Sequence, residues 1–173
     1  MLDVKTAREL FHYNRAVLDR YRRSLERLPW RAVVRNRETG HLSMKDTFVH
    51  ILNVHDGWLN YVVPGRIHEL NDPGRFADSM KSWRDIRAYE SRVWSGVDRL
   101  LARLTPSQLR QKVKAPWMPG EYVLSDALLQ TSFEQAHHLG ELIAMLWQMD
   151  RRPPDMTWIE LRNASRRSRP SRS

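Results

Sequence analysis

The sequence predicts an all-α fold, a four-helix bundle. Three observations predict it. Apolar residues recur at steps of three and four in four stretches, proline or glycine follows each of them, and no alternating strand pattern competes. Four amphipathic helices of about 20 to 26 residues in one small domain bury their stripes best against one another.

The first helix is expected over residues 4–28. Leu10, Val17, Tyr21, Leu25 and Leu28 share a stripe that also holds Asn14; Asp3 stands where a cap is needed, and Pro29 ends the segment. The second, over 44–63, opens on Ser43 and Asp46, a capping box with Asp in place of Glu or Gln. Its apolar face is Phe48, Ile51, Leu52, Trp58, Leu59 and Val62, and Pro64-Gly65 stops it. Residues 64–80, with a second Pro-Gly pair at 73–74, read as a long connection.

The third helix, over 82–104, carries Trp83, Ile86, Val93, Val97, Leu100 and Leu104 on one stripe, interrupted only by Glu90; Thr105-Pro106 terminates it. Pro116, Pro119 and Gly120 mark another irregular stretch. The fourth helix, over 125–150, precedes Pro153-Pro154. The expected core is Leu10, Val17, Phe48, Trp58, Val93, Leu100, Phe133 and Leu146. Long irregular links between helices 2 and 3 and between helices 3 and 4 permit crossovers, so a simple up-down order does not follow.

A chain of 173 residues suits one domain with a genuine core, and seven tryptophans supply large side chains for it. The absence of cysteine removes disulfides, thiolate ligands and a protein thiol nucleophile. The net charge of +9 is unevenly spread. Arg162, Arg166, Arg167, Arg169 and Arg172 fall in the last twelve residues, which leaves 24 basic against 20 acidic residues in the body. The expectation is a helical domain over 1–161 and a disordered Arg/Ser-rich tail over 162–173, not a basic groove for nucleic acid. The longest apolar run, Leu142 to Trp147, is far short of the ~20 residues that span a bilayer. No apolar signal-peptide region follows Met1, so the expected location is cytoplasmic, with no membrane partner.

The polar residues of the fourth helix are the informative ones. Gln130, Glu134, His138 and Glu141 recur at steps of four, four and three and line one face. A Glu and a His at i, i+4 lie roughly 5–6 Å apart at Cβ, close enough to converge on one cation, although the same spacing describes a solvated face. On the second helix His50 flanks the apolar stripe and His55 falls near its centre. Periodicity nominates His55 as buried and does not choose a ligand between the two. His137 points about 100° from His138 and reads as surface or interface. His12, His41 and His68 have no partner at ligand spacing.

The second helix reads Met44-Lys-Asp-Thr-Phe-Val-His50-Ile-Leu-Asn-Val-His-Asp-Gly-Trp58-Leu59, and the fourth contains Phe133-Glu134-Gln-Ala-His137-His138-Leu-Gly140-Glu141-Leu-Ile143. With Leu10-Phe11-His-Tyr13-Asn14, these segments resemble the DinB-like (damage-inducible B) family of metal-dependent thiol S-transferase-like bundles, over roughly residues 8 to 158. The resemblance implies a DinB-like four-helix bundle and places the family's three metal ligands on His50, Glu134 and His138. The middle position is Glu where the family usually has His, and Leu139 stands where an Arg often follows the last ligand. Two His and one carboxylate form a workable set for zinc or non-haem iron, and nickel is a further divalent candidate.

The resemblance implies a metal-dependent transferase acting through a small-molecule thiol cosubstrate, or a hydrolase if water takes the thiol's place. The alternative is a non-catalytic helical dimer that kept the fold and lost the metal. The fourth helix is apolar over more than half its circumference, so a homodimer through helical faces is expected, with Leu139, Ile143 and Trp147 as contact residues. Contact with nucleic acid through the Arg tail is the reading least supported.

Overall fold

The computed structural model describes residues 2–70 and 73–167; for 73–75 and 163–167 only the backbone path is described. Four long helices carry the fold: α1 (Val4–Glu26), α3 (Met44–His55), α5 (Trp83–Arg103) and α7 (Leu124–Trp147). Short helices decorate the connections: α2 (Trp30–Val33), α4 (Pro73–Ser79) and α6 (Pro106–Leu109), with α8 (Trp158–Arg167) after the bundle. A two-residue antiparallel ladder, β1 (Lys112–Val113) against β2 (Tyr122–Val123), closes the link between α5 and α7. Among the described residues no helix is long and apolar enough to cross a membrane.

The starts of these helices follow from their caps. Asp3 accepts the Thr6 amide at 2.7 Å, Ser43 accepts that of Asp46 at 3.1 Å, and Ser82 accepts that of Asp85 at 3.3 Å. Each such cap contributes roughly 1 kcal/mol by satisfying an amide with no partner in its own helix. Thr105 and Gln108 form a reciprocal capping box at α6.

The second helix changes its winding midway. From Asp56 to Val62 it widens into a π-helical segment, with Val63 N donating to Trp58 O at 2.9 Å and Arg66 N to Tyr61 O at 2.7 Å. This turns Asp56 and Asn60 toward α5. Asn60 Nδ2 donates to Asp56 Oδ1 (2.7 Å) and to Val93 O (3.2 Å), and its amide lies flat on Gly96, where an added Cβ would stand 2.0 Å from Asn60 Oδ1.

The bundle closes as a ring in the order α1, α5, α3, α7, so that α1 faces α3 and α5 faces α7 across the core. Helix α1 runs antiparallel to α5: Arg8 donates to Leu101 O, Arg15 pairs with Asp98, Arg22 with Glu90, and Glu26 with Arg87. Helix α3 runs parallel to α5, since Asn53 meets Tyr89 and Asn60 meets Val93. Consecutive long helices are therefore diagonal at the first and third connections. Only α3 and α5 follow each other in both chain and ring.

Val17, Phe48, Trp58, Val93 and Leu146 are buried as expected, while Leu10 and Leu100 are half-buried. Phe133 is a correction: it is 63% exposed. Helix α7 turns inward a face that includes Thr131, Gln135 and His138. Thr131 donates to Ala127 O (2.8 Å) and Gln135 Nε2 to Asn14 O (3.0 Å), so their donors are satisfied inside, although Gln135 Oε1 is buried without a partner. That rotates Phe133 outward.

After α7 the chain returns along α1. Tyr13 donates to Met156 O at 2.5 Å and meets Trp158 edge-on, and Arg162 pairs with Glu9 at 2.6 Å. Helix α8 carries regular backbone from the end of the expected 1–161 domain to Arg167. The rest of the expected tail, 168–173, lies outside the described residues.

Candidate metal centre

Where α3 packs on α7, three imidazoles meet. His50, on the second turn of α3, faces His138 on α7, with ring centroids 4.5 Å apart and planes at 81°. His41, in the loop before α3, stacks on His50 at 3.8 Å and meets His138 edge-on at 4.8 Å. One ring nitrogen from each lies within 4.8 Å of the others.

His41 reaches this position because its loop doubles back. Glu38 and Leu42 adopt left-handed φ values of 56° and 62°, Arg37 N donates to Leu42 O at 2.6 Å, and Glu38 N donates to Asn36 Oδ1 at 2.8 Å. The turn lays Gly40 against Glu141 of α7, where an added Cβ would stand 3.3 Å from Glu141 Oε1.

Two carboxylates flank His138. Glu141 Oε2 is 3.2 Å from its Nδ1 and Glu134 Oε2 is 3.4 Å from its Nε2. With the Nδ1 proton donated to Glu141, Nε2 presents a lone pair. A lone pair facing a carboxylate oxygen at that distance is repulsive unless a cation or a proton stands between them. Gln130 Nε2 donates to Glu134 Oε1 at 2.7 Å and fixes the carboxylate in that pose.

The surroundings of His50 and His41 favour the neutral imidazole. Burial pushes the His50 pKa down to about 3, and the nearness of His41 and His138 pushes the same way. His41 is also lowered, by burial first and by His138 second. Neutral imidazole is the form that ligates a divalent metal. Three facing rings, with two carboxylates at one edge, are a donor set that fits a cation.

Of the residues expected from the sequence, His50 and His138 come together. Glu134 stands beside His138 but is not one of the three whose ligand atoms share the 4.8 Å limit. His41, left without a partner by its spacing, completes the three. His137 is exposed, 4.0 Å from Glu141 Oε1, on the outer side of α7. His55 is fully buried, with Nδ1 on Ile51 O at 3.1 Å and its ring between Phe11 and Trp94. It is a core residue.

The family model of the DinB superfamily matches residues 13–142, a span that contains His41, His50, Glu134, His138 and Glu141. No curated protein matches the chain.

Proposed function

The chain belongs to the DinB superfamily, and we propose that it binds one divalent metal ion through His41, His50 and His138 and works as a metal-dependent transferase acting through a small-molecule thiol. The observation that carries the metal reading is the meeting of three desolvated imidazoles from two helices and a loop. Imidazole suits zinc, nickel and iron alike. The transferase reading rests on the family resemblance and is compatible with a chain that has no cysteine of its own.

The chemistry supplied by such a cation is the deprotonation of a thiol at neutral pH. Glu134 Oε2, next to His138 Nε2, is the chain's acceptor for that proton, and Gln130 holds the carboxylate in place from Oε1. Glu141 holds the His138 ring from Nδ1, which leaves Nε2 for the metal. In a hydrolase, water would take the thiol's place, and an assay with the thiol omitted separates the two reactions.

Equilibrium dialysis of tag-free protein against zinc, nickel or ferrous iron, with the bound metal counted by elemental analysis, tests the centre. One equivalent is expected. His41→Ala, His50→Ala and His138→Ala should each weaken binding by more than about 100-fold, the upper range for loss of an outer-shell partner. His137→Ala should leave it unchanged. If Glu134→Gln abolishes binding and His41→Ala does not, the ligands are His50, Glu134 and His138 instead. Less than a tenth of an equivalent of every metal would overturn the centre.

A second reading, a helical homodimer, is favoured by the outer face of α7. Phe133 (63% exposed) and Trp147 (58% exposed) each lie seven residues from Gly140, with Ala136 and Ala144 between. A two-fold axis at Gly140 would set Phe133 of one copy on Trp147 of the other, a self-complementary pattern. Leu139 takes no part, being 1% exposed within the chain. Light scattering should give twice the 20.6 kDa chain mass, and Phe133→Asp with Trp147→Asp should halve it. A monomer mass for the unaltered chain at micromolar concentration removes the dimer.

A further inference from the structure

Away from the histidines, the π-helical segment and α5 enclose a second cleft, of about 560 Å3. Its volume falls within the roughly 300–1,000 Å3 of small-molecule sites. The floor is apolar: Leu59, Leu100, Leu104 and Leu124 line it, and all but the half-buried Leu100 are buried. The rim is cationic, with Arg66, Arg92, Arg99 and Arg103.

Those arginines differ in what holds them. Arg66 pairs with Glu69, and Arg92 lies over the Tyr89 ring at 4.9 Å. Among the described residues Arg99 and Arg103 face no carboxylate within ion-pair distance. Elsewhere on α5 Arg87 is matched by Glu26 and Asp98 by Arg15, each at 2.9 Å, while Arg84 makes no ion pair among the described residues and lines no part of this cleft. The one carboxylate on the cleft wall, Asp56, is already engaged by Asn60 at 2.7 Å and by the Tyr89 hydroxyl at 3.0 Å.

Arg99 and Arg103 are one helical turn apart, about 6 Å along the axis. Like charges at i, i+4 repel. A pair of guanidiniums at that separation can clamp one carboxylate or phosphate between them. The widened π turn is what brings Asp56 and Asn60 to this wall, and such turns recur at functional sites.

We propose that this cleft binds a small organic anion with an apolar tail, its head held by Arg99 and Arg103 and its tail lying on Leu59, Leu100 and Leu104. The inference is independent of the metal centre, which lies on the side of α3 that faces α7, whereas this cleft opens where the π segment faces α5. Phosphate and carboxylate heads satisfy the same pair, so both are tested.

The experiment is calorimetric titration of the full chain with hexyl phosphate, hexanoate and inorganic phosphate. At least one hexyl compound should bind tenfold or more tighter than inorganic phosphate. Arg99→Gln with Arg103→Gln should weaken it by at least tenfold, and the charge-matched control Arg31→Gln with Arg84→Gln should not. Leu100→Ser should narrow the gap between the hexyl compound and inorganic phosphate, a readout that a general loss of charge would leave alone. Equal weakening in both double variants overturns the site, as does inorganic phosphate binding as tightly as the better of the two hexyl compounds. Duplex DNA binding that is lost only with Arg99 and Arg103 would make the cleft a nucleic-acid surface and overturn the small-molecule reading.

Discussion

Replacing Arg22 with alanine is expected to lower the unfolding free energy by about 3 kcal/mol, the low end of the range for breaking a buried ion pair. The Arg22 guanidinium lies between three carboxylates. Its Nε is 2.8 Å from Glu90 Oε2, an ion pair without the alignment of a hydrogen bond. Nη1 is 2.8 Å from Glu26, and Nη2 donates to Asp19. The side chains of Arg22 and Glu90 are only 14% and 12% exposed. Without Arg22 the Glu90 charge is left buried beside two others.

The low end applies because Asp19 and Glu26 keep Arg23 and Arg87, and Asp19 is more exposed to solvent. Burial raises the Glu90 pKa above the usual carboxylate value even with Arg22 in place. A raised carboxyl favours the folded state below its unfolded pKa, near 4.5, and loses that advantage as pH rises. The deficit of Arg22→Ala should therefore shrink at pH 4 relative to pH 7. Urea unfolding at both values measures it, and a loss below about 1 kcal/mol at pH 7 would show a pair with no more than surface strength.

Acid should weaken the fold through His55, by about 2 kcal/mol between pH 7 and pH 5. Burial pushes this pKa down to about 4, against the opposing hydrogen bond to Ile51 O. Nε2 is buried without a hydrogen-bond partner, so a proton there would have nothing to bond. The unfolded chain takes up that proton near pH 6.5 and the folded chain does not. The contribution is thus complete above pH 6.5 and is lost as pH falls toward 4. His50 and His41 act in the same direction. The measurement is the urea midpoint at pH 7, 6 and 5 in the presence of a chelator, for the unaltered chain and for His55→Leu. An unchanged pH slope in His55→Leu would assign the acid sensitivity elsewhere.

The four long helices were legible because periodicity marks their lengths and local signals mark several of their ends: Asp3 and Ser43 do cap helices, and Pro29, Pro64 and Pro106 do follow them. The ring order was not legible, since stripe width says how much of a helix is covered and not by which neighbour. Phe133 was misplaced because periodicity counts Thr131 and Gln135 as polar, and the hydrogen bonds that Thr131 Oγ1 and Gln135 Nε2 donate inside the bundle lower the cost of burying them. His50 and His138 sit on helices, where spacing carries directional information. His41 sits on a turn whose left-handed residues reverse the chain, and no periodicity extends through such a turn.

The diagonal placement of consecutive helices also bears on how the chain reaches this state. The side-chain contacts of α1 are made with residues far along the sequence: 61 positions from Glu26 to Arg87, 93 from Arg8 to Leu101, and 121 from Asn14 to Gln135. A simple up-down bundle zips from hairpins whose loops close over short distances. Here α1 has no adjacent partner until α5 is in place, and long loops must close before those contacts compensate for the lost chain entropy. The expected result is that the N-terminal half forms no independent hairpin and that the bundle condenses as one cooperative unit.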